Sequence, residues 1–128
     1  MKAISLLLLL SLCQPSFSQD YEIRDISNKE YHESGALSSG EIQIINYANS
    51  SMIVNCSINK KTWVEKRIKI KDGIEVSVTN DVEFFYIKYC NQNTGSVTCD
   101  TYKLRPGKRY VFRYSEPNKT IELKKTDD

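Results

Sequence analysis

From Glu41 onward the chain is cut into short runs rich in isoleucine, valine, tyrosine, phenylalanine and threonine, separated every several residues by turn formers, and no stretch carries helical periodicity. That pattern restricts the fold to an all-β one. The runs predict strands over Glu41–Tyr47, Met52–Ile58, Trp63–Lys71, Ile74–Thr79, Val82–Cys90, Val97–Leu104, Arg109–Ser115 and Thr120–Lys125. Between them lie Ala48-Asn49-Ser50, Asn59-Lys60-Lys61, Asp72-Gly73, Asn80-Asp81, Arg105-Pro106-Gly107-Lys108 and Glu116-Pro117-Asn118. Asp72-Gly73 suits the primed turn of a tight hairpin. Alternation turns Ile74, Val76 and Val78 inward, and likewise Tyr110, Phe112 and Tyr114. One-sided apolar patterning on so many strands needs a second layer or closure. The expected fold is a single small antiparallel β-sandwich of about seven or eight strands, with a small barrel as the alternative.

The segment between Cys90 and Cys99 contains Asn91-Gln92-Asn93-Thr94-Gly95-Ser96, and its Gly95 takes a positive φ at little cost. Centring the turn on Thr94-Gly95 pairs Cys90 with Cys99, Ile87 with Tyr102 and Phe85 with Leu104. Phe85, Ile87, Tyr102 and Leu104 then share one face and both cysteines the other. A Cys90–Cys99 disulfide is therefore expected as a staple of this hairpin. A redox or metal-binding pair fits less well, because the spacing is not Cys-x-x-Cys and no histidine stands nearby. Cys56 shares parity with Met52, Val54 and Ile58 and reads as a buried, inert thiol.

At the other end of the chain, Lys2 precedes the leucine-rich run Leu6–Leu10, and Ser16-Phe17-Ser18 offers a small-x-small cleavage site, which is the layout of an export signal. The apolar run Ala3–Leu12 ends at Cys13-Gln14-Pro15, at about half the roughly 20 residues that span a bilayer. The expected organisation is a signal peptide over 1–18, a polar flexible arm over 19–40 and a β-sandwich over 41–128, secreted to a periplasm or outside the cell. Anchoring by a lipid-modified Cys13 is the alternative, against which Leu12 is not the small residue that precedes such cysteines. Removal of the signal takes Lys2 and no acid, leaving seventeen basic against sixteen acidic residues, a net of +1. That balance, with export, points away from a nucleic-acid partner, and no transmembrane segment is expected in the mature chain.

Leu104-Arg105-Pro106-Gly107-Lys108-Arg109-Tyr110-Val111-Phe112 resembles the Leu-x-Pro-Gly-x-x-Tyr-x-Val/Phe stretch of fibronectin type III domains. The resemblance covers these nine residues and implies an immunoglobulin-like sandwich with a tyrosine corner, the Tyr110 hydroxyl bonding back to the backbone. Pro106 presets φ and Gly107 tolerates a positive one, which gives a type II turn between two strands.

Chemistry is harder to find. The sole histidine, His32, sits in the polar arm between Tyr31 and Glu33 and reads as a solvated side chain rather than a catalytic base. Asp72, Glu75, Asp81 and Glu83 lie close in sequence and would serve a hydrolase only if a pair shared one cleft; their spacing fits no calcium loop. Zinc-ligand spacing and glycine-rich phosphate loops are missing. The chain is therefore expected to be non-enzymatic, with no cofactor or metal.

The best candidate surface lies on the third predicted strand, where Trp63, Arg67, Lys69 and Lys71 share parity while Val64, Ile68 and Ile70 take the opposite face. An exposed basic stripe with one aromatic suits a glycan, an anionic headgroup or an acidic protein. The plainer role of such charges is to discourage edge-to-edge association. A second basic set, Lys103, Arg105, Lys108, Arg109 and Arg113, brackets the Pro-Gly turn. Sequons stand at Asn49, Asn55 and Asn118 and matter only in a eukaryotic secretory pathway. The leading expectation is an exported, non-catalytic β-sandwich module that binds an extracellular or periplasmic protein or glycan. The alternative is a secreted or periplasmic enzyme inhibitor presenting the Cys90–Cys99 hairpin.

Overall fold

The computed structural model describes residues 20–93 and 95–126, so the expected signal peptide and Cys13 lie outside the described residues. The described residues form nine strands and one short helix: β1 (Tyr21–Ile26), α1 (Asn28–Glu33), β2 (Glu41–Tyr47), β3 (Met52–Ser57), β4 (Val64–Ile68), β5 (Gly73–Val78), β6 (Phe85–Asn93), β7 (Ser96–Leu104), β8 (Arg109–Ser115) and β9 (Thr120–Lys125). They build two sheets, one of five strands in the order β1-β5-β2-β8-β9 and one of four in the order β4-β3-β6-β7. The protein is a β-sandwich, not a closed barrel. Strands β2, β8 and β9 span the residues expected of them. In the β6–β7 hairpin Cys90 faces Cys99, Ile87 faces Tyr102 and Phe85 faces Leu104, the register expected from the sequence, and Cys90 and Cys99 are joined by a disulfide.

The core forms where the inward faces meet. Ile42, Ile44, Ile74, Val76 and Phe112 from the five-stranded sheet pack against Val54, Cys56, Phe85, Ile87 and Leu104 from the other. Burying each large apolar side chain contributes about 1.5–3 kcal/mol, which holds the two layers together. Two carboxamides, Asn46 and Asn91, are buried between the sheets, and Asn46 is the more enclosed. Its carboxamide donates to the carbonyls of Ser50 and Ile68, at 2.9 and 3.0 Å, and accepts the Ala48 N–H at 2.9 Å, so no polar atom is stranded.

Four expectations need correction. The residues read as a polar arm instead fold: β1 pairs antiparallel with β5, and α1 follows directly. Ser27 caps the helix by accepting the Glu30 N–H at 3.1 Å. Tyr31 then drops onto the outer face of the five-stranded sheet and packs with Ile26, Ile45 and Val111 in a second small core. Because α1 covers that face, β2 is buried on both sides, which accounts for its consecutive Ile44-Ile45. A polar ladder pins the cover down. Arg24 Nε and Gln43 Nε2 donate to the two oxygens of Glu75, each at 2.9 Å, and Arg109 Nε donates to Gln43 Oε1 at 3.0 Å. Arg109 also reaches the carbonyls of Ser34 and Gly35 in the segment after α1.

Second, the sheets are not wholly antiparallel, since β2 and β8 run parallel. The chain reaches β8 from β7 in the other sheet, and that crossover brings it in alongside β2 in the same direction. Third, Asp72-Gly73 is no hairpin turn, because β4 and β5 belong to different sheets. The turn there is closed by the Asp72 N–H on the Lys69 carbonyl at 3.0 Å, and its left-handed residue is Lys71, at φ 68°. Fourth, the third predicted strand stops at Ile68. Inward-pointing side chains on β4 are those opposite Cys56, Val54 and Met52, namely Val64, Lys66 and Ile68. Val64 at the periphery and Ile70 beyond the strand end are exposed.

The Pro106-Gly107 turn forms with Gly107 at φ 89°, and the Tyr110 hydroxyl accepts the Arg105 N–H at 2.8 Å. This is the tyrosine corner that the resemblance implies. Tyr110→Phe removes one partner of a sheltered hydrogen bond and is expected to lower stability by about 1 kcal/mol. Urea unfolding measures it, and an unchanged midpoint would show that the bond contributes nothing.

Candidate binding surface

The outward face of the four-stranded sheet is laid out by strand register. Asn55 stands opposite Glu65 on one side and Lys88 on the other, and Lys88 faces Thr101. One row away Tyr86 faces Lys103, and Ile53 faces Arg67. Three aromatic rings on and beside this face hold cations. Lys88 Nζ lies 4.3 Å from the Trp63 ring centroid, Lys60 Nζ 5.2 Å from that of Tyr86, and Lys103 Nζ 3.9 Å from that of Phe84, with the Arg105 guanidinium 5.9 Å from Phe84.

A ring quadrupole orients a cation without cancelling its charge, whereas a carboxylate does both. Among the described residues the ion pairs are Arg24 with Glu30 and Glu75, and Lys66 with Asp25. Lys60, Lys88, Lys103, Arg105 and Arg67 take part in none of them. The face therefore presents oriented, uncancelled positive charge, with Glu65 as its one acid among the positions in the outward rows.

The four residues singled out from sequence divide. Trp63 and Arg67 belong to this face, the first beneath Lys88 and the second opposite Ile53. Lys69 and Lys71 lie past the end of β4 in the crossover, where strand alternation no longer applies. Arg67 and Lys69 instead line a shallow depression of about 300 Å³ with Asp25, Lys66 and Asp72, whose lysine is already paired with Asp25 at 2.9 Å. Lys60, Phe84, Tyr86 and Lys88 complete this face. The parity of the β6–β7 hairpin carries the signal for Tyr86 and Lys88; Phe84 precedes the strand and Lys60 sits in a turn at φ 62°, so neither follows from alternation. The second basic set also splits. Lys103 and Arg105 join this face, while Arg109 serves the ladder on the other sheet and Arg113 lies 5.2 Å from the Tyr47 ring.

The acids considered for hydrolysis are dispersed. Glu75 is buried in its ladder with Arg24 and Gln43, Asp72 stands before the start of β5, and Asp81 and Glu83 are exposed beyond its end. His32 is exposed but held, its Nε2 sharing a hydrogen bond with the Tyr47 hydroxyl, and that hydroxyl accepts from Asn28 Nδ2 at 2.7 Å. No group of three metal-ligating side chains occurs among the described residues. Asn49 and Asn118 are exposed in turns, while Asn55 is half-buried in the middle of the basic face.

Cys56 is a free, buried thiol, and burial pushes it up to about 12. Burial also raises Tyr21, Tyr89 and Tyr102. Between the ordinary thiol value of 9.0 and about 12, the unfolded chain releases a proton that the folded chain keeps, so stability is full below that window and falls as pH rises through it. The three tyrosines act in the same direction. Denaturation midpoints should drop above about pH 9, less steeply in Cys56→Ala. A midpoint constant to about pH 11 would contradict this.

Comparison with known protein families and with curated proteins finds no match to this chain.

Proposed function

We propose that this protein is an exported, non-catalytic binding module whose four-stranded sheet takes an anionic partner, an acidic protein or an acidic glycan, on its outward face. The observation that carries the reading is the set Lys60, Lys88 and Lys103, held over Tyr86, Trp63 and Phe84 with no carboxylate to neutralise them. Side chains held in place lose less freedom on binding, and uncancelled charge speeds encounter with an oppositely charged surface. Neutralising all three in Lys60→Gln/Lys88→Gln/Lys103→Gln should weaken retention on immobilised polyglutamate or polygalacturonate by about tenfold or more. Lys124→Gln/Lys125→Gln on β9 serves as the control. Equal losses in the two variants would reduce the effect to overall charge and remove the surface.

The inhibitor reading keeps one specific support, the outer half of the β6–β7 hairpin, whose β7 side chains from Ser96 to Thr101 are all exposed and whose strands are joined by Cys90–Cys99. It predicts that shortening the turn abolishes inhibition of a target enzyme while leaving polyanion retention unchanged.

A further inference from the structure

Four strand edges end the two sheets, and three of them are guarded. Strand β1 carries Glu22, Arg24 and Asp25; β4 is five residues long and centred on Glu65-Lys66-Arg67. On β9 the Asn91 carboxamide accepts the Ile121 N–H at 2.7 Å and donates to the Ile121 carbonyl at 3.1 Å, so a side chain occupies the edge where another strand would pair. Strand β7 is nine residues long, carries only Asp100 and Lys103 as charges, and leaves Val97 60 % exposed. Long, flat, weakly charged edges are templates for pairing with another chain.

The register tells which backbone groups are free. Cys90 and Cys99 have Cα atoms 3.9 Å apart, the close spacing of a non-hydrogen-bonded antiparallel pair. The N–H and C=O of Cys99 therefore turn away from β6, and by alternation so do those of Val97, Thr101 and Lys103. Among the described residues no backbone hydrogen bond reaches them. The disulfide fixes this edge before any partner arrives, which lowers the ordering cost of pairing.

We propose that the free edge of β7 accepts an extended segment of another polypeptide by antiparallel strand addition, and that the segment carries an acidic residue three positions before a basic one. Residues directly opposite in an antiparallel pair share a face, and opposite charges there attract while like charges repel. Lys103 lies on the outward face and Asp100 on the inward face, so a complementary strand puts an acid opposite Lys103 and, three residues later, a base opposite Asp100. The residue opposite Tyr102 is apolar. A second copy of β7 does not meet this requirement. Hydrogen-bonded addition pairs only residues whose backbones both face the free edge, which are odd-numbered here, or both face away, which are even-numbered. Lys103 of one copy can never stand opposite Asp100 of another, and some registers set Asp100 against Asp100. The charge pattern selects a foreign segment.

The probe is a peptide with the core glutamate-valine-threonine-lysine flanked by alternating threonine and valine, and its control exchanges the glutamate and lysine. Titration followed by backbone amide NMR should give shifts concentrated at Val97, Cys99, Thr101 and Lys103, with the probe binding at least about fivefold tighter than the control. Lys103→Glu should erase that preference. Thr101→Pro removes only an N–H that faces the free edge, a place where proline is tolerated, and should cost at least about tenfold in affinity. Val97→Pro removes another N–H of the free edge, at a residue outside the outward-face cation set, and should weaken peptide binding while leaving polyanion retention intact, so this proposal and the proposed function fail separately. Equal binding of the two peptides, undiminished binding by a folded Thr101→Pro, no binding at about 1 mM, or self-association that Thr101→Pro abolishes would each overturn it.

Discussion

Replacing Gly73 with alanine is expected to destabilise the protein by about 3 kcal/mol or more. Gly73 sits in β5 between Ile26 on β1 and Ile45 on β2, and a methyl group built there lies 2.4 Å from the Ile44 carbonyl oxygen and 3.2 Å from the Ile45 Cα. Both contacts are backbone, so no side-chain rotation relieves them. The strands must separate, and the β5–β2 ladder crosses the middle of the five-stranded sheet. Gly107→Ala supplies the comparison, because its φ of 89° costs strain but no close contact is under 3.8 Å; about 1–2 kcal/mol is expected there. Urea unfolding of both variants settles the order. A Gly73→Ala cost no larger than that of Gly107→Ala would mean that the strand spacing yields easily, contrary to the packing described.

The second large effect belongs to the hairpin. Converting both Cys90 and Cys99 to alanine releases a loop with a sequence separation of nine, and the chain-entropy estimate for such a loop is about 2–3 kcal/mol. Stability should fall by that amount. Protection against amide exchange should fall most at the outer half of the hairpin, where the β7 side chains are exposed and little but the ladder and the disulfide hold the strands. Asn91, next to the bridge on its turn side, keeps β6 tied to β9 through its carboxamide, so the loss should concentrate on β7. Uniform loss of protection throughout the sandwich would instead show that the disulfide supports the whole core.

What could be read in the chain and what could not follow one physical division. Strands with one buried face announce themselves by alternation, and β9, the β6–β7 register, the Cys90–Cys99 bridge and buried Cys56 were legible on that ground, whereas β2 and β8, buried on both faces over much of their length, were legible as short apolar runs between turn formers. Strand β1 was not, because an edge strand needs few apolar residues: only Tyr21 and Ile23 pack against the main core, while Arg24 is spent on Glu75. Helix α1 left a local trace, Ser27 three residues before Glu30, in the pattern of a capping box. At six residues it is too short to show periodicity. Asp72-Gly73 misled because glycine before a strand serves equally for a positive φ or for close approach of backbones, and only the neighbouring strand distinguishes the two. The candidate surface was half legible. Trp63 and Arg67 could be placed by parity, but the rings and cations that complete it come from β6, β7 and two turns, and their meeting depends on which strands become neighbours.

The positive charge on the outward face of the four-stranded sheet is proposed as the binding surface. Its most direct test is amide and indole NMR of the protein titrated with polyglutamate and with polygalacturonate. Shifts are expected at Lys60, the Trp63 indole, Lys88, Thr101 and Lys103. Shifts centred instead on Lys108, Arg113 and Lys124 of the five-stranded sheet and its flanking turn, with the Trp63 indole unmoved, would contradict it.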